Sequence, residues 1–209
     1  MSEVPEDLLR EVLVSDQAVG LELTDRLHVE VVEHSVFKQL SDTVHPQGVL
    51  AVAEMPCWKE DEVLAQRAGK ILLLDGIRDP GNLGTMIRTA EAAGVRAVYL
   101  SPDCVDLFNP KVIRSTMGSI FRVPVFSAEL TAVIRKLKAE DVQVYATSLS
   151  AQRSFRDVDL QHAGIIIGSE ANGISDAVLR IAADHIRIPM AGQVESLNAA
   201  VSAAILMFA

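Results

Sequence analysis

Residues 186–209 read IRIPMAGQVESLNAAVSAAILMFA, and the reading of this stretch decides the fold. A short β-branched run ends at Pro189. A small glycine-containing loop follows at 190–195, and Ser196-Leu197-Asn198 then opens an apolar helix that runs to the end of the chain. Ser196 and Asn198 suit a helix N-terminus, because their side-chain oxygens can accept from the orphan amides of the first turn. By themselves these residues describe a capped C-terminal helix. Together with the loop, a strand end and polar residues at a helix N-terminus outline a concavity lined by backbone N–H groups, which suits a polar ligand.

Upstream, the chain alternates strand and helix from Lys70 onward. Residues 70–75, KILLLD, are an uninterrupted apolar strand, as in a sheet covered on both faces. The pattern continues with a helix over 83–93, a strand over 95–100 and a helix from Asn109-Pro110 to Ser115. A brief strand at 123–126, an amphipathic helix at 131–138 and strands at 142–146 and 164–168 follow. A helix at 176–182 and a last strand at 185–188 lead into the C-terminal stretch. Such alternation predicts an α/β fold with a mostly parallel sheet and helices on both faces.

Residues 1–56 read as a separate small α/β unit, with strands at 9–14, 27–32 and 48–53 and a helical turn at 36–40. Met55-Pro56 closes it, and 57–69 is a linker or a short connecting helix before the domain of 70–209. Charge follows the same division. Residues 1–66 hold 14 Asp/Glu against 4 Lys/Arg, whereas 67–209 hold 14 against 15, so the net charge of −9 comes from the first third.

With 209 residues and 49% hydrophobic content, the chain can bury a core as one large domain or two small ones. The longest apolar run, 203–209, is too short for a bilayer, and no signal peptide opens the chain. Cys57 and Cys104 stand far apart without a second pair, and the five histidines are scattered. Neither a zinc site, another metal site nor a disulfide framework is expected, and the setting is cytoplasmic.

Three stretches could carry chemistry. The first, DGIRDPGNLGTMIRTA over 75–90, links a buried strand to a helix through glycines, with Asn82 placed at the N-cap. It is no dinucleotide fingerprint, since Gly81 and Gly84 are spaced GxxG, and no Lys-Ser/Thr pair makes a Walker loop. Thr85, Arg88 and Thr89 share one helix face; equally, Arg88 is a surface arginine on an amphipathic helix. The second, IIIGSEANGIS over 165–175, places Glu170 beyond a buried strand, where open α/β sheets bind ligands. Asn172-Gly173 is also an ordinary turn pair. The third is the C-terminal loop.

In order, Asn82-x-Gly84-x-x-x-Arg88, Ile167-Gly168-Ser169-Glu170-Ala-Asn172-Gly173 and Ile188-Pro189-Met190-x-Gly192-x-x-Glu195-Ser196-Leu197-Asn198 resemble the three motifs of SpoU-type (TrmH-like) RNA 2′-O-ribose methyltransferases of the SPOUT superfamily. The stretch from Asp106 to Lys111 and Ser115-x-Met117-Gly118-Ser119 is similar to the same family. The resemblance covers 70–209.

This resemblance implies a SPOUT fold with a C-terminal deep trefoil knot, built from the strands near 142–146, 164–168 and 185–188 and the final helix. It implies methyl transfer from S-adenosyl-L-methionine to a ribose 2′-hydroxyl of rRNA or tRNA, in a homodimer with sites formed across the subunits. The cofactor would be held near Gly168, Ile188, Met190 and Leu197, with Ala146 and Thr147 bordering its adenine. Arg88 matches the catalytic arginine. Because a guanidinium resists deprotonation, the gentler role is to grip a phosphate and stabilise the developing alkoxide. Asn82, Glu170, Ser196 and Asn198 would orient Arg88, the ribose and the cofactor. RNA would meet Arg78, Arg88, Lys111, Arg114 and Arg122.

The N-terminal third departs from the family. From His34 to Val49 it resembles the later half of a ribosomal-protein-like RNA-binding domain, but the basic opening helix is missing and the unit is acidic. Either the chain is a fragment or the catalytic half grips the RNA; the final helix also stops early for the family. Two other readings remain. One is a SPOUT-fold RNA binder without transferase activity, against which the intact motifs speak. The other is an unrelated nucleotide-binding α/β enzyme such as a dehydrogenase, against which the missing GxGxxG speaks.

Overall fold

A computed structural model describes residues 3–18, 28–41, 43, 45–66, 68–182 and 184–209. The chain divides into two compact units, Met1–Cys57 and Trp58–Ala209.

In the first unit, β1 (Leu9–Ser15) is the central strand of three. It pairs in parallel with β2 (Val29–Val32) and antiparallel with β3 (Val49–Ala53). Val12 and Val14 point to the same side by the two-residue period of a strand and are buried with Phe37 of α1 (His34–Leu40). Asp16, just past β1, accepts from the His34 amide at 2.9 Å and so supplies the cap that Glu33 does not. Of the strand expected over 27–32, Leu27 lies outside the described residues.

The second unit begins with α2 (Glu60–Ala65). The stretch 57–69 is therefore more than a tether: Val63 and Leu64 are buried in the same cluster as Ile71, Leu73 and Tyr99. Tyr99 donates from its hydroxyl to Glu60 at 2.9 Å, and burial, helped by that bond, holds the phenol well above its ordinary pKa. The run of elements continues with β4 (Ile71–Asp75), α3 (Pro80–Ala92), β5 (Ala97–Leu100) and α4 (Pro110–Thr116). Next come β6 (Val125–Ser127), α5 (Leu130–Ala139), β7 (Val144–Thr147) and β8 (Arg153–Ser154), a two-residue edge strand too short to leave a periodic signal. The chain then runs through β9 (Gly164–Gly168), α6 (Asp176–Ala182), β10 (Asp184–Arg187) and α7 (Ala199–Met207).

The seven strands lie in the order β6-β5-β4-β9-β7-β10-β8, and every described ladder is parallel. Along β4, Leu72 and Leu74 face a core shared with Leu83, Met86 and Ile87 of α3, Val112 of α4 and Ala203 and Leu206 of α7. Ile71 and Leu73 face the opposite core, with α5 and α6. The middle of a strand buried on both sides favours apolar residues, which is why β4 reads as continuous ILLL before its last residue, Asp75. After β10 the chain returns past β7 and β9, and α7 packs against α3 and β9.

Helix α3 begins three residues earlier than the apolar pattern suggests. Asp79 is its N-cap, accepting from the Asn82 amide at 2.7 Å, and Pro80 takes the first turn, where no N–H is needed. Asn82 is thus not a cap but a first-turn residue, and its side chain is released for other partners. Similarly α7 starts at Ala199 with Asn198 as its cap, not at Ser196.

Gly84 is where α3 meets α4. A Cβ there would lie 2.3 Å from the Ser115 Cβ and 2.8 Å from the Val112 carbonyl oxygen. Gly84→Ala must push the two helices apart, and we expect it to destabilise the protein by about 1–3 kcal/mol in urea unfolding, as overpacked cores do.

Candidate active site

The C-terminal ends of parallel strands in an open α/β sheet are where ligands bind, because the following loops converge there. Here Thr147, Gly168 and Arg187 end β7, β9 and β10, and the loops beyond them enclose a cavity of about 520 Å³. Its apolar wall comes from Ile167, Ile186, Ile188, Met190 and Leu197; its polar wall from Ser148, Ser150, Ser169 and Ser202. Glu170 is the carboxylate in the lining and Arg187 the cation.

The loop after β9 is shaped by its glycines. A Cβ on Gly168 would stand 2.2 Å from the Gly173 carbonyl carbon, so only glycine lets the returning chain pass. Gly173, at φ +67°, turns the chain, and Ser169 and Gly173 exchange backbone hydrogen bonds at 3.1 and 2.9 Å. The lobe so closed carries Glu170 at its exposed tip.

Glu170 is reached from α3. The Asn82 Nδ2 donates to Glu170 Oε1, and the Asn82 Oδ1 accepts from Asn198 Nδ2 at 3.2 Å. Asn198 in turn uses its Oδ1 to accept from the Ala200 and Val201 amides, at 2.9 and 3.3 Å, as the cap of α7. An amide has one donor end and one acceptor end; this chain of contacts assigns both ends of Asn82 and fixes its flip. Three segments that are 88 and 28 residues apart in sequence, around Asn82, Glu170 and Asn198, thereby meet at one point.

Of the expected cofactor-contacting residues, Thr147, Gly168, Ile188, Met190 and Leu197 line the cavity, as does Ser196. Ala146 does not. It is fully buried in the core on the α5/α6 side, because strand alternation sends neighbouring side chains to opposite faces. Arg88 is exposed on α3, and its guanidinium makes no hydrogen bond to a described residue. Arg78, Lys111 and Arg114 are also exposed, whereas Arg122 is committed to Glu91 of α3, with its second contact at 3.1 Å. Hydrogen bonds from Arg122 and Ser119 hold the Glu91 carboxyl below the usual carboxylate range. Among the described residues no group of His, Cys, Asp or Glu could hold a metal, and no helix is long and apolar enough to cross a membrane.

Arg187, Ser148, Ser150 and Ser202 escaped the reading from sequence. A lone Arg between two isoleucines reads as the solvent face of an edge strand; its place at a strand's C-terminal end was the available signal.

The sequence profile of the SpoU rRNA Methylase family matches residues 69–208. The chain belongs to that family. It is 39% identical over 203 residues to the 23S rRNA (guanosine(2553)-2′-O)-methyltransferase RlmP of Bacillus subtilis, covering 96% of this chain and 80% of the relative. It is 32% identical over 222 residues to the 23S rRNA (guanosine-2′-O-)-methyltransferase RlmB of Xanthomonas axonopodis, covering 97% and 88%. Among solved structures, an AdoMet-bound rRNA methyltransferase from Sinorhizobium meliloti superposes with a TM-score of 0.81 at 31% identity, over 96% of this chain and 78% of the other. The SpoU match and the hydrogen-bonded motif residues fall on the same unit.

The double use of Asn198 can be separated. Asn198→Ala should cost about 1 kcal/mol in urea unfolding through the lost cap, whereas Asn198→Asp, an equally good cap, should stay within about 0.5 kcal/mol of the parent. Asn198→Asp cannot donate to Asn82, so the two variants should lose the Asn82 contact alike.

Proposed function

We propose that this protein transfers a methyl group from S-adenosyl-L-methionine to a ribose 2′-hydroxyl of rRNA or tRNA, with the cofactor in the cavity at the ends of β7, β9 and β10. The observation that carries this reading is the meeting of Asn82, Glu170 and Asn198 beside that cavity. The cavity suits the cofactor: its volume falls within the range of about 300–1,000 Å³ usual for small-molecule sites. Its isoleucines, Met190 and Leu197 offer an apolar bed for an adenine, and Gly168 leaves backbone rather than side chain at the wall.

Bound there, S-adenosylmethionine supplies a methyl group made electrophilic by its sulfonium. The protein's task is then chiefly to orient the accepting hydroxyl, since the displacement is in-line and depends on geometry. Asn82, with its flip fixed by Glu170 and Asn198, presents a defined hydrogen-bonding edge to the ribose. Ser196 lies at the cavity wall, placed to orient the cofactor. Arg88 holds a neighbouring phosphate and stabilises the developing alkoxide while remaining protonated.

Arg88 follows Asn82 by six residues, so it lies about 9 Å further along α3 and roughly 240° around it. Such an Arg88 serves a site across a subunit boundary better than the cluster of its own chain, which supports a homodimer. Knotted threading of β7, β9 and β10 agrees with the order β9-β7-β10 and the return of α7 to α3. The RNA-contacting residues are Arg78, Arg88, Lys111 and Arg114, exposed on the second unit, since phosphate neutralisation needs cations that the acidic first third lacks. We place the enzyme in the cytoplasm, where its RNA is made and modified.

Calorimetry should show S-adenosylmethionine binding to the folded protein. Arg88→Ala should lower methyl transfer to unmodified rRNA by more than about 100-fold and change cofactor affinity by less than about threefold, the pattern of an interaction made in the transition state. Unchanged turnover would remove Arg88 from the reaction. Comparing 2′-O-methyl positions in cellular RNA with and without the protein identifies the target.

A further inference from the structure

On the methyl-transfer reading of this site, we infer that Asp75 is a positioning residue: its buried carboxylate clamps the outgoing end of the lobe that carries Glu170, so that Glu170 stands where Asn82 can reach it. Asp75 is the last residue of β4, only 7% exposed, and pairs in register with Gly168. Its Oδ2 accepts from the Ser175 amide at 2.7 Å, across 100 residues of sequence.

A carboxylate at the end of an otherwise apolar strand is costly to bury unless it is hydrogen-bonded, and a charged acceptor bonds about twice as strongly as a neutral one. The lobe itself is closed by its own contacts: the Ser169–Gly173 backbone pair, and the Asn172 amide donating to Ser169 Oγ at 3.2 Å. Those contacts hold its shape but not its place. Among the described residues, two side chains from outside hydrogen-bond to the lobe, Asp75 at its base and Asn82 at its tip.

The same strand end also launches α3. Asp79, four residues on, caps that helix, and Asn82 lies three residues further. Asp75 therefore ties the lobe to the segment that carries Glu170's own partner. If the clamp is lost, the lobe keeps its internal bonds but drifts relative to α3, and the Asn82–Glu170 contact is no longer enforced.

The test uses the full chain, labelled S-adenosylmethionine and unmodified rRNA. Asp75→Ala should lower kcat by roughly 10–100-fold, the worth of a hydrogen bond to a charged group. Its KM for S-adenosylmethionine should move by less than about threefold. Asp75→Asn, which keeps an acceptor, should recover to within about fivefold of the parent. In a Glu170→Ala background, where no acceptor is left for Asn82, the same Asp75→Ala change should cost less than about twofold, because Asp75 acts through Glu170. A full additive loss in that background, or unchanged kcat in Asp75→Ala, overturns the assignment.

Should Asp75→Ala fail to fold, Asp75→Asn carries the test: its smaller loss must likewise vanish beside Glu170→Ala, and persistence of that loss overturns the clamp. Hydrogen exchange reads the clamp without any activity. Residues 169–175 should exchange faster in the Asp75 variants while β4 and β9 stay protected; unchanged exchange sinks the clamp. If the parent transfers no methyl group, the functional reading fails by that result, and exchange alone decides on Asp75.

Discussion

The second unit is organised by a sheet whose central strands have no wet face. Leu72 and Leu74 of β4 are buried under α3, α4 and α7, while Ile71 and Leu73 are buried under α5 and α6. With both faces covered, the sheet offers ligands only its ends, and parallel strands bring their following loops to one end. The cavity beyond β7, β9 and β10 follows from that constraint rather than from any single motif.

Within the space so created, the site is defined by how polar groups are paired. Asn82 is the centre because an amide must donate and accept, and Glu170 and Asn198 satisfy one end each. Asn198 also caps α7, so one side chain holds both a helix start and a site contact. The glycines make these approaches possible. Gly84 lets α4 lie against α3, and Gly168 lets the chain pass at 173–174, where any side chain would collide with backbone.

Much of this was legible in the chain. The strand at Gly164–Gly168 and the helix at Asp176–Ala182 fall where apolar runs and flanking turns place them. The three motifs carried Asn82, Glu170 and Asn198, which the structure joins. Misreadings arose where a local rule competed with the apolar pattern. At α3 the Asp79-Pro80 start outranked the first periodic leucine; at 57–69, read as a linker or a short connecting helix, the structure has the helix, and it buries Val63 and Leu64. Ala146 was expected beside Thr147 at the adenine; alternation along β7 turns its side chain into the core and leaves Thr147 at the cavity wall.

By itself, the sequence determined most of the elements and the family, because periodicity, caps and glycine spacing are local properties and each motif is contiguous. It could not determine which polar atoms pair, since Asn82 and Glu170 are separated by 88 residues and Asp75 and Ser175 by 100. Those pairings depend on strand order, which places β9 beside β4 and so sets the Glu170 lobe against the start of α3. Only the tertiary structure decided that Arg187 lines the cavity while Arg122 is spent on Glu91. An arginine's role is set by what lies within reach of its guanidinium, and that reach is a matter of folding rather than of sequence distance.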